Sequence, residues 1–352
     1  MLAQECNMRC SYCYGEGGEY NNKGIMTENV AFQAIDYLVK NSTDELLHIA
    51  FLGGEPLLNF PLLKKVVEYC KQISADTGKK FSYTITTNGT LITDNIEKYL
   101  TENKIVCQIS LDGTKEKNDM NRFFRNKKGS YDVIVEKTKS MRHMNLVTAR
   151  ATVTPDNSDY KEIFNHLNEL EFRAIPIAIA QNMVDDEQFD KILSEYINYI
   201  FYFEELILTK QYAKAKKMTD LVNALEKIEF GNVRNNGCGA GRTMFAVDID
   251  GTLYPCHRFV GERKFALGNI WTGSDNSKFL KMINVRNRDK CSKCWAQNLC
   301  LGCCPHENYT NTNNINLASE RSCRMAKTKN KKLISVYIKM SDEDKKMMWP
   351  ED

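Results

Sequence analysis

The sequence contains no apolar run long enough to cross a membrane. Its most apolar stretch, residues 196–208, is interrupted by Asn198, Glu204 and Glu205, whereas a membrane-spanning helix needs about 20 mostly apolar residues. Residues 1–6 also lack the basic and then apolar segments of an export signal. We therefore expect no membrane partner and a cytoplasmic location.

The sequence also lacks an excess of charge of one sign. It has 48 Lys and Arg against 45 Asp and Glu, a net charge of +3, whereas nucleic acids and anionic membranes attract strongly basic surfaces. We expect no nucleic-acid partner. With 42% hydrophobic and 26% charged residues, the chain has the composition of a globular protein rather than a disordered one. Its 352 residues suggest two domains.

Cysteine is too scarce for a disulfide scaffold, with 13 Cys in 352 residues against the roughly 8–10% that marks such scaffolds. Eleven of them lie in two regions, residues 6–13 and 238–323. Short spacings in a chain without an export signal favour metal ligation over disulfides. Cys70 and Cys107 stand apart, and we expect both to be buried core thiols.

The first 180 residues alternate between strand and helix patterns, which predicts a parallel sheet with helices outside it. The predicted strands are residues 49–52, 81–87, 106–111, 148–154 and 174–179, and the predicted helices are 62–73, 92–102, 131–141 and 160–169. Barrels and open sheets both have this pattern, and both bind ligands at the carboxyl ends of their strands. Turn segments follow three strands, at residues 53–56, 87–89 and 110–113. We expect these segments to share one site.

The strand pattern ends near residue 183, and residues 184–230 are helical and charged, which indicates a bridge between domains. From residue 231 the chain is rich in Gly, Asn and Cys, with a predicted hairpin at 245–254 that turns at Asp250 and Gly251. An amphipathic segment after residue 330 predicts a terminal helix. The predicted domains are residues 1–183, 184–230, 231–330 and 331–352.

The first cysteine group, Cys6, Cys10 and Cys13, places three thiolates in one short loop. A tetrahedral zinc site takes four ligands, and no fourth Cys or His is close in the sequence. The four-cysteine spacing of ferredoxins is also different. Three cysteines can hold three corners of a 4Fe–4S cubane and leave the fourth iron open to a substrate or cofactor.

The run Cys-Asn-Met-Arg-Cys-Ser-Tyr-Cys at residues 6–13 resembles the signature loop of the radical S-adenosylmethionine (SAM) enzymes, where an aromatic residue precedes the last cysteine. Gly-Gly-Glu-Pro at 53–56 is similar to that family's motif for the amino group of SAM, since a carboxylate pairs well with an ammonium and glycines permit close backbone approach. The resemblance implies an α/β fold, a partial (β/α)6 barrel with a very short first strand at residues 1–4. It also implies a set of SAM-binding residues: Tyr12, Gly53, Gly54, Glu55, Asn88, Ser110 and Asp112.

The second cysteine region resembles the small SPASM iron–sulfur extension of radical SAM enzymes that modify peptides. The matching segments are residues 238–241, 248–256 and 267–270. The resemblance implies an outer auxiliary cluster on Cys291, Cys294, Cys300 and Cys323, and an inner one on Cys238, Cys256 and Cys304. With the cluster on Cys6, Cys10 and Cys13, this makes three 4Fe–4S clusters. A zinc ribbon is the alternative for this region.

The inner cluster departs from the family pattern. Residues 230–237 lack the cysteine that relatives carry before this motif. Cys303 is a spare thiol that could supply the missing ligand. It is shifted by one residue from Cys304, the position that the family pattern assigns to this cluster, so this is the weaker assignment. Otherwise one iron stays open, and a substrate thiolate is the type of soft ligand that suits it.

The resemblance implies reductive cleavage of SAM to a 5′-deoxyadenosyl radical, which takes hydrogen from a peptide. Sulfatase-maturing relatives carry an Asp, their base, directly after the cysteine equivalent to Cys256, where this chain has His257. We therefore expect an enzyme that forms a thioether or another crosslink in a ribosomally made precursor peptide. His257 is the candidate base, and a flavodoxin or ferredoxin is the expected electron donor. The alternatives are an anaerobic sulfatase-maturing enzyme and a non-catalytic zinc or electron-transfer protein.

Overall fold

The structure, a computed structural model, describes residues 1–231 and 237–350. Its strands are β1 (Ala3–Gln4), β2 (Gly24–Ile25), β3 (Leu46–Phe51), β4 (Lys80–Thr87), β5 (Val106–Ser110), β6 (Val147–Val153), β7 (Ile177–Ile179), β8 (Ala246–Val247), β9 (Thr252–Tyr254), β10 (Gly268–Asn269) and β11 (Gly273–Ser274). Its helices are α1 (Glu28–Asn41), α2 (Phe60–Thr77), α3 (Asp94–Glu102), α4 (Lys115–Asn121), α5 (Tyr131–Lys137), α6 (Lys139–His143), α7 (Tyr160–Glu169), α8 (Asp186–Leu208), α9 (Tyr212–Ala215), α10 (Thr219–Glu229), α11 (Ser277–Ile283), α12 (Asp289–Ser292), α13 (Gln297–Cys300), α14 (Pro305–Thr312), α15 (Glu320–Lys339) and α16 (Asp342–Met348).

Strands β3 to β7 form one five-stranded sheet whose spatial order is the order in the chain. β3 pairs in parallel with β4, β4 with β5, and β6 with β7. Helices separate these strands in the sequence, because a parallel pair needs a long crossover connection. This arrangement confirms the predicted α/β fold class.

The strands are apolar because the sheet is covered by protein. Ile85 on β4 and Cys107 and Ile109 on β5 are fully buried. Cys70 on α2 is buried as well, which confirms the prediction that both isolated cysteines are core thiols. Burial raises the pKa of Cys70 and of Cys107 to about 12, so both remain neutral thiols.

The first strand is as short as the sequence predicts. β1 contains two residues and pairs antiparallel with β2. Ala3 also forms an isolated parallel bridge with Gly53, directly after β3. This bridge joins the N-terminal segment to the turn that follows β3.

Several predicted elements differ from the structure. The strand predicted at 49–52 is Leu46–Phe51, and the helix predicted at 62–73 is Phe60–Thr77. The single helix predicted at 131–141 is two helices, α5 and α6, separated at Thr138. Thr138 is buried, and its hydroxyl donates to the Ile134 carbonyl, a local bond that competes with helical geometry. β7 begins at Ile177 rather than at residue 174, because Pro176 has no backbone N–H for the ladder.

The predicted hairpin is present at β8 and β9. Ala246 lies opposite Tyr254 and Val247 opposite Leu253. Gly251 occupies the turn with a φ of +85°, a conformation that glycine adopts without strain. β10 and β11 extend this hairpin to a four-stranded antiparallel sheet.

The chain forms two compact units. The first comprises Met1–Leu111, Asn118–Thr148 and Gly239–Leu280, and the second comprises Asp112–Lys117, Ala149–Cys238 and Lys281–Asp352. The helices predicted for residues 184–230 are α8, α9 and α10 in the second unit, where α8 packs against α15. No helix in the described ranges is both long and apolar enough to span a membrane.

A buried carboxylate anchors the last helix of the second unit. Asp344 on α16 accepts hydrogen bonds from Lys210 Nζ at 2.8 Å, Tyr212 Oη at 2.7 Å and Ser341 Oγ at 2.7 Å. Burial alone would raise the pKa of Asp344, but the bonds from Lys210, Ser341 and Tyr212 outweigh it, and the pKa falls below its usual range. Asp344 is therefore ionised in the folded protein.

We expect Asp344→Asn to lower the free energy of unfolding by about 1–3 kcal/mol, because the amide cannot accept all of these bonds. The urea midpoint at pH 7 measures this loss, and Glu343→Gln, at an exposed neighbour, is the control. Since the folded pKa is lowered, the contribution of Asp344 is present above the unfolded pKa of about 3.9 and is lost as the pH falls towards the folded pKa. Equal midpoints for the two variants would contradict this prediction.

Candidate functional site

The three cysteines of the first group lie in a loop that follows β1 in the first unit. All three are half-buried. The backbone N–H groups of Arg9 and Ser11 donate to the carbonyls of Phe123 and Asn121, at 2.8 and 3.0 Å. The loop is therefore anchored along its length by a second segment of the chain.

The side chain of Arg9 fixes the curvature of this loop. Its Nη1 donates to the carbonyl oxygens of Cys6, Met8 and Gly17 at 2.9–3.1 Å, and its Nη2 lies 3.3 Å from Glu19 Oε1. One guanidinium thus satisfies three carbonyls that point inward, which is the use to which a rigid five-donor fork is suited.

The Gly-Gly-Glu-Pro segment lies directly against the N-terminal strand. Gly54 N–H donates to the Ala3 carbonyl and Glu55 N–H to the Glu5 carbonyl, each at 2.8 Å. A Cβ at Gly53 would lie 2.2 Å from the Ala3 oxygen, and a Cβ at Gly54 would lie 2.3 Å from the Glu5 oxygen. Only glycine permits the two backbones to approach this closely, and the contact places Cys6 at the end of the segment.

Glu55 joins two of the predicted site segments. Its carboxylate is fully buried and accepts hydrogen bonds from Thr87 Oγ1 at 2.7 Å, Asn88 N at 2.8 Å and Leu57 N at 3.0 Å. Burial raises the pKa of Glu55, although these donors oppose the shift. The sequence predicts a role for this carboxylate towards an ammonium group, and the structure adds a structural role that sequence reasoning missed.

Asn88 connects the second turn segment to the cysteine loop. Its Nδ2 donates to Asn7 Oδ1 at 2.9 Å and lies 3.8 Å from Cys6 Sγ. Its Oδ1 accepts from Thr90 Oγ1 at 2.6 Å, and Thr90 Oγ1 in turn accepts from Asn7 Nδ2 at 2.8 Å. The structure therefore brings Asn88 and the first cysteine together, as expected for parts of one site.

The remaining predicted SAM-binding residues fall in different places. Tyr12 Oη accepts a hydrogen bond from Arg122 Nη1 at 2.7 Å, beside the cysteines. Ser110 is half-buried at the end of β5 in the first unit. Asp112 belongs to the second unit and is fully buried. Its carboxylate accepts a hydrogen bond from the backbone N–H of Thr152 on β6, at 2.9 Å.

Gly18 is a site residue that sequence reasoning missed. A Cβ there would lie 2.6 Å from Gly54 Cα and 2.8 Å from Cys6 Cβ, and its φ is +92°. The glycine pair at residues 17–18, just after the cysteine loop, was the available signal. Gly18 and Gly54 together leave room for Cys6 between them.

The donor set fits an iron–sulfur cluster. Cys6, Cys10 and Cys13 are thiols, the ligands of such clusters, on a loop that hydrogen bonds hold in place. Burial raises the pKa of Cys6 to about 11, so binding at this thiol requires release of its proton. Within residues 1–231 and 237–350, no three His, Cys, Asp or Glu side chains are grouped so as to hold a single metal ion.

The cysteines of the predicted outer cluster all belong to the second unit. Cys291 is on α12, Cys300 ends α13 and Cys323 is on the first turn of α15, with Cys294 between the first two helices. The Cys294 N–H donates to the Cys291 carbonyl at 3.1 Å. Three helices and the segment between two of them therefore supply this set.

Cys303 joins this outer set. Its Sγ lies 3.5 Å from Cys300 Sγ. A hydrogen bond from Cys303 lowers the pKa of Cys300 to about 6 and that of Cys323 to about 7, and the pKa of Cys303 is raised in return. Cys303 therefore contacts Cys300 of the predicted outer set, whereas the sequence offers it as a possible fourth ligand of the inner cluster.

The predicted inner set is divided between the two units. Cys256 is buried in the first unit, just after β9. Cys238 is exposed and Cys304 is half-buried, and both belong to the second unit. Most of the segment in which relatives carry a further cysteine, residues 232–236, lies outside the described residues.

His257 lies beside the first cysteine loop, within the first unit. It begins a 3-10 turn after Cys256, and its ring centroid is 6.2 Å from that of Tyr14, the residue after Cys13. Arg258 stacks over the same Tyr14 ring at 5.5 Å. This places a basic and aromatic group next to the three-cysteine loop.

Comparison with known proteins agrees with these features. The Radical SAM superfamily matches residues 2–170, and SPASM, an iron–sulfur cluster-binding domain, matches residues 238–295. The chain is 26% identical over 349 residues, 90% of each protein, to a cysteine-type anaerobic sulfatase-maturating enzyme of Clostridium novyi (strain NT). It is 22% identical over 354 residues, 95% of this chain and 73% of the relative, to the radical SAM cyclopropyl synthase TigE of Paramaledivibacter caminithermalis.

The fold is shared with a solved structure, native anSMEcpe with bound AdoMet and Kp18Cys peptide. The TM-score is 0.77, with 96% of this chain and 98% of that chain covered at 22% identity. This likeness establishes the common fold of the two proteins.

We expect Gly54→Ala to displace the N-terminal strand, because the new Cβ would lie 2.3 Å from the Glu5 oxygen and 2.7 Å from the Gly18 oxygen. The predicted result is a loss of stability of about 1–3 kcal/mol together with loss of the iron bound by the first cysteine group. Iron and sulfide analysis after anaerobic reconstitution measures the second effect.

Gly78→Ala is the matched control for this substitution. Gly78 has a φ of +73°, and no atom lies within 4 Å of a Cβ there, so the variant carries backbone strain of about 1–2 kcal/mol without a clash. It should keep the full iron content. Full iron content in the Gly54 variant would contradict the assigned role of this contact.

Proposed function

We propose that this chain, which belongs to the radical SAM superfamily and carries a SPASM domain, uses SAM to modify a peptide by hydrogen abstraction. One observation carries the proposal: the segment that leads directly into the loop with Cys6, Cys10 and Cys13 is bonded to the Gly-Gly-Glu-Pro segment, through the carbonyls of Ala3 and Glu5. Three thiols bind three irons of a cubane cluster and leave its fourth iron available to SAM.

The residues of the chain act mainly by positioning. When bound, the cluster supplies the electron that cleaves SAM to a 5′-deoxyadenosyl radical, and the radical takes hydrogen from the substrate. Cys6, Cys10 and Cys13 are assigned as its ligands. Glu55 orients the Gly-Gly-Glu-Pro segment for the ammonium group of SAM, and Asn88 holds the Cys6 side of the loop.

A peptide is the proposed substrate class. The solved relative anSMEcpe binds the Kp18Cys peptide, and the fold match covers nearly the whole of both chains. The two auxiliary clusters assigned to the SPASM cysteines can accept an electron from the substrate. A flavodoxin or ferredoxin is the proposed electron donor, and a reducing cytoplasm suits a chain with this many free thiols.

Crosslinking is the reaction that the site residues favour. The position after Cys256 carries His257, with an imidazole beside Tyr14, where the resemblance to sulfatase maturases leads one to expect an Asp. The inner cysteine set is also one ligand short, which leaves an iron for a substrate thiolate. We therefore assign the chain a thioether or related crosslink in a precursor peptide, with His257 as candidate base.

Sulfatase maturation is the second candidate function. It is favoured by the similarity to the Clostridium novyi enzyme over 90% of both proteins. The two candidates share SAM cleavage and differ in the product: crosslinking removes two hydrogen atoms from a peptide, whereas sulfatase maturation converts a Cys or Ser to formylglycine.

We expect the reconstituted, dithionite-reduced protein to convert SAM to 5′-deoxyadenosine. Cys10→Ala should reduce this conversion to the background level, because one of three cluster ligands is removed. Cys70→Ala, at a buried core thiol, is the control and should retain conversion. Chromatographic quantification of 5′-deoxyadenosine is the measurement, and conversion by the Cys10 variant at the parent rate would contradict the assignment.

The Kp18Cys peptide separates the two candidate functions. We expect the protein to cleave SAM without forming formylglycine on this peptide, and to remove two hydrogens from a short Cys-containing peptide encoded beside its gene, both read by mass spectrometry. With this encoded peptide, His257→Gln should lower the amount of product about 100–10,000-fold, while 5′-deoxyadenosine is still formed. His48→Gln, at an exposed histidine, is the control. Formylglycine on Kp18Cys would decide for sulfatase maturation.

A further inference from the structure

The outer cysteine set contains five thiols, one more than a 4Fe–4S cluster binds. The sequence resemblance assigns four of them, Cys291, Cys294, Cys300 and Cys323. The fifth, Cys303, has its sulfur 3.5 Å from Cys300 Sγ and directs it at the Ser322 carbonyl at 3.7 Å, one residue before Cys323. The additional thiol therefore lies among the assigned ligands.

The backbone that presents Cys303 has an unusual conformation. Leu301, Gly302 and Cys303 have φ values of +56°, +83° and +62°, and two of these three are residues with a side chain. Such residues rarely occupy the left-handed region, and they persist there only where the surroundings hold them, most often at functional sites. Three in succession turn the chain sharply between Cys300 and Cys304.

Two buried side chains hold this turn. Arg288 Nη1 and Asn308 Nδ2 both donate to the Gly302 carbonyl, at 2.8 and 3.0 Å. A Cβ at Gly302 would lie 2.4 Å from Arg288 Nη1, so the contact requires glycine. Because the peptide before Cys303 is fixed in this way, its side chain is directed at Cys300 by the fold.

We propose that Cys300 and Cys303 are interchangeable ligands of one iron of the outer auxiliary cluster. This inference rests on the proposed function only in requiring that an auxiliary cluster binds at this set. Either sulfur can occupy the ligand position after a change of side-chain rotamer, since the two sulfurs already touch. The remaining thiol stays beside the cluster.

The exchange is balanced in bonds, protons and electrons. One iron–sulfur bond to the leaving Cys breaks and one to the entering Cys forms. The proton of the entering thiol passes to the leaving thiolate across the 3.5 Å contact. No oxidant or reductant takes part, and the ligand count of the cluster is unchanged.

Iron and sulfide content tests the proposal in a chain without the first cluster. The parent carries Cys6→Ala, Cys10→Ala and Cys13→Ala, so that its iron reports on the auxiliary clusters alone. Cys300→Ala, Cys303→Ala and the Cys300→Ala/Cys303→Ala pair are compared with it after anaerobic reconstitution. Cys294→Ala is the control for loss of an assigned ligand outside the Cys300–Cys303 pair, and circular dichroism checks folding.

Both single variants should keep the iron and sulfide of the parent, whereas the double variant and Cys294→Ala should each lose one cluster, about four irons per chain. The electron paramagnetic resonance spectrum of reduced Cys300→Ala should retain the auxiliary signals. Loss of a cluster from either single variant, or full iron in the double variant, would overturn the inference. A parent that binds zinc and no sulfide would instead refute the proposed function.

Discussion

The close backbone contact between the N-terminal strand and the turn after β3 is the constraint on which the first site depends. Gly53 and Gly54 approach Ala3 and Glu5 so closely that any side chain would overlap a carbonyl oxygen. The contact places Cys6 immediately after the bonded segment, and Gly18 closes over it from the other side. Three cysteines alone do not make this site. Glycines elsewhere in the sequence permit the close backbone contacts that fix the position of Cys6.

Buried polar groups then hold the surrounding loops at fixed positions. Glu55 accepts hydrogen bonds from two turns, Asn88 connects one of those turns to the cysteine loop, and Arg9 donates to two carbonyls of the loop and to that of Gly17 after it. Each of these groups is buried or half-buried, where an unpaired donor or acceptor is costly. The network therefore favours one arrangement of the loop before any cofactor binds, which is the condition for positioning a reactive radical.

The sequence predicted much of the fold because its signals are local. Strand and helix periodicity located the parallel sheet, and Asp250 and Gly251 marked the hairpin turn. The cysteine spacings and the Gly-Gly-Glu-Pro segment predicted the candidate site, and the structure brings Cys6 close to Gly54 and Asn88. Predictions failed where a tertiary contact decided the outcome, as at Thr138, whose buried hydroxyl divides a helix in two.

Other features of the site were beyond sequence reasoning for the same reason. The role of Glu55 depends on Thr87 and Asn88, which lie more than thirty residues away in the chain. The position of Cys303 depends on Arg288 and Asn308, whose bonds hold the Gly302 carbonyl in the turn that places its thiol against Cys300. Spacing alone cannot reveal such long-range hydrogen bonds, and here they determine which thiols can share a cluster.

The most direct test of the central claim is electron–nuclear double resonance of the reduced protein with SAM that carries ¹⁵N in its amino group and ¹⁷O in its carboxylate. If the three-cysteine loop leaves one iron open to SAM, both labels should show hyperfine coupling to the cluster, and Cys10→Ala should abolish it. A reduced cluster whose spectrum shows no coupling to either label would contradict the account.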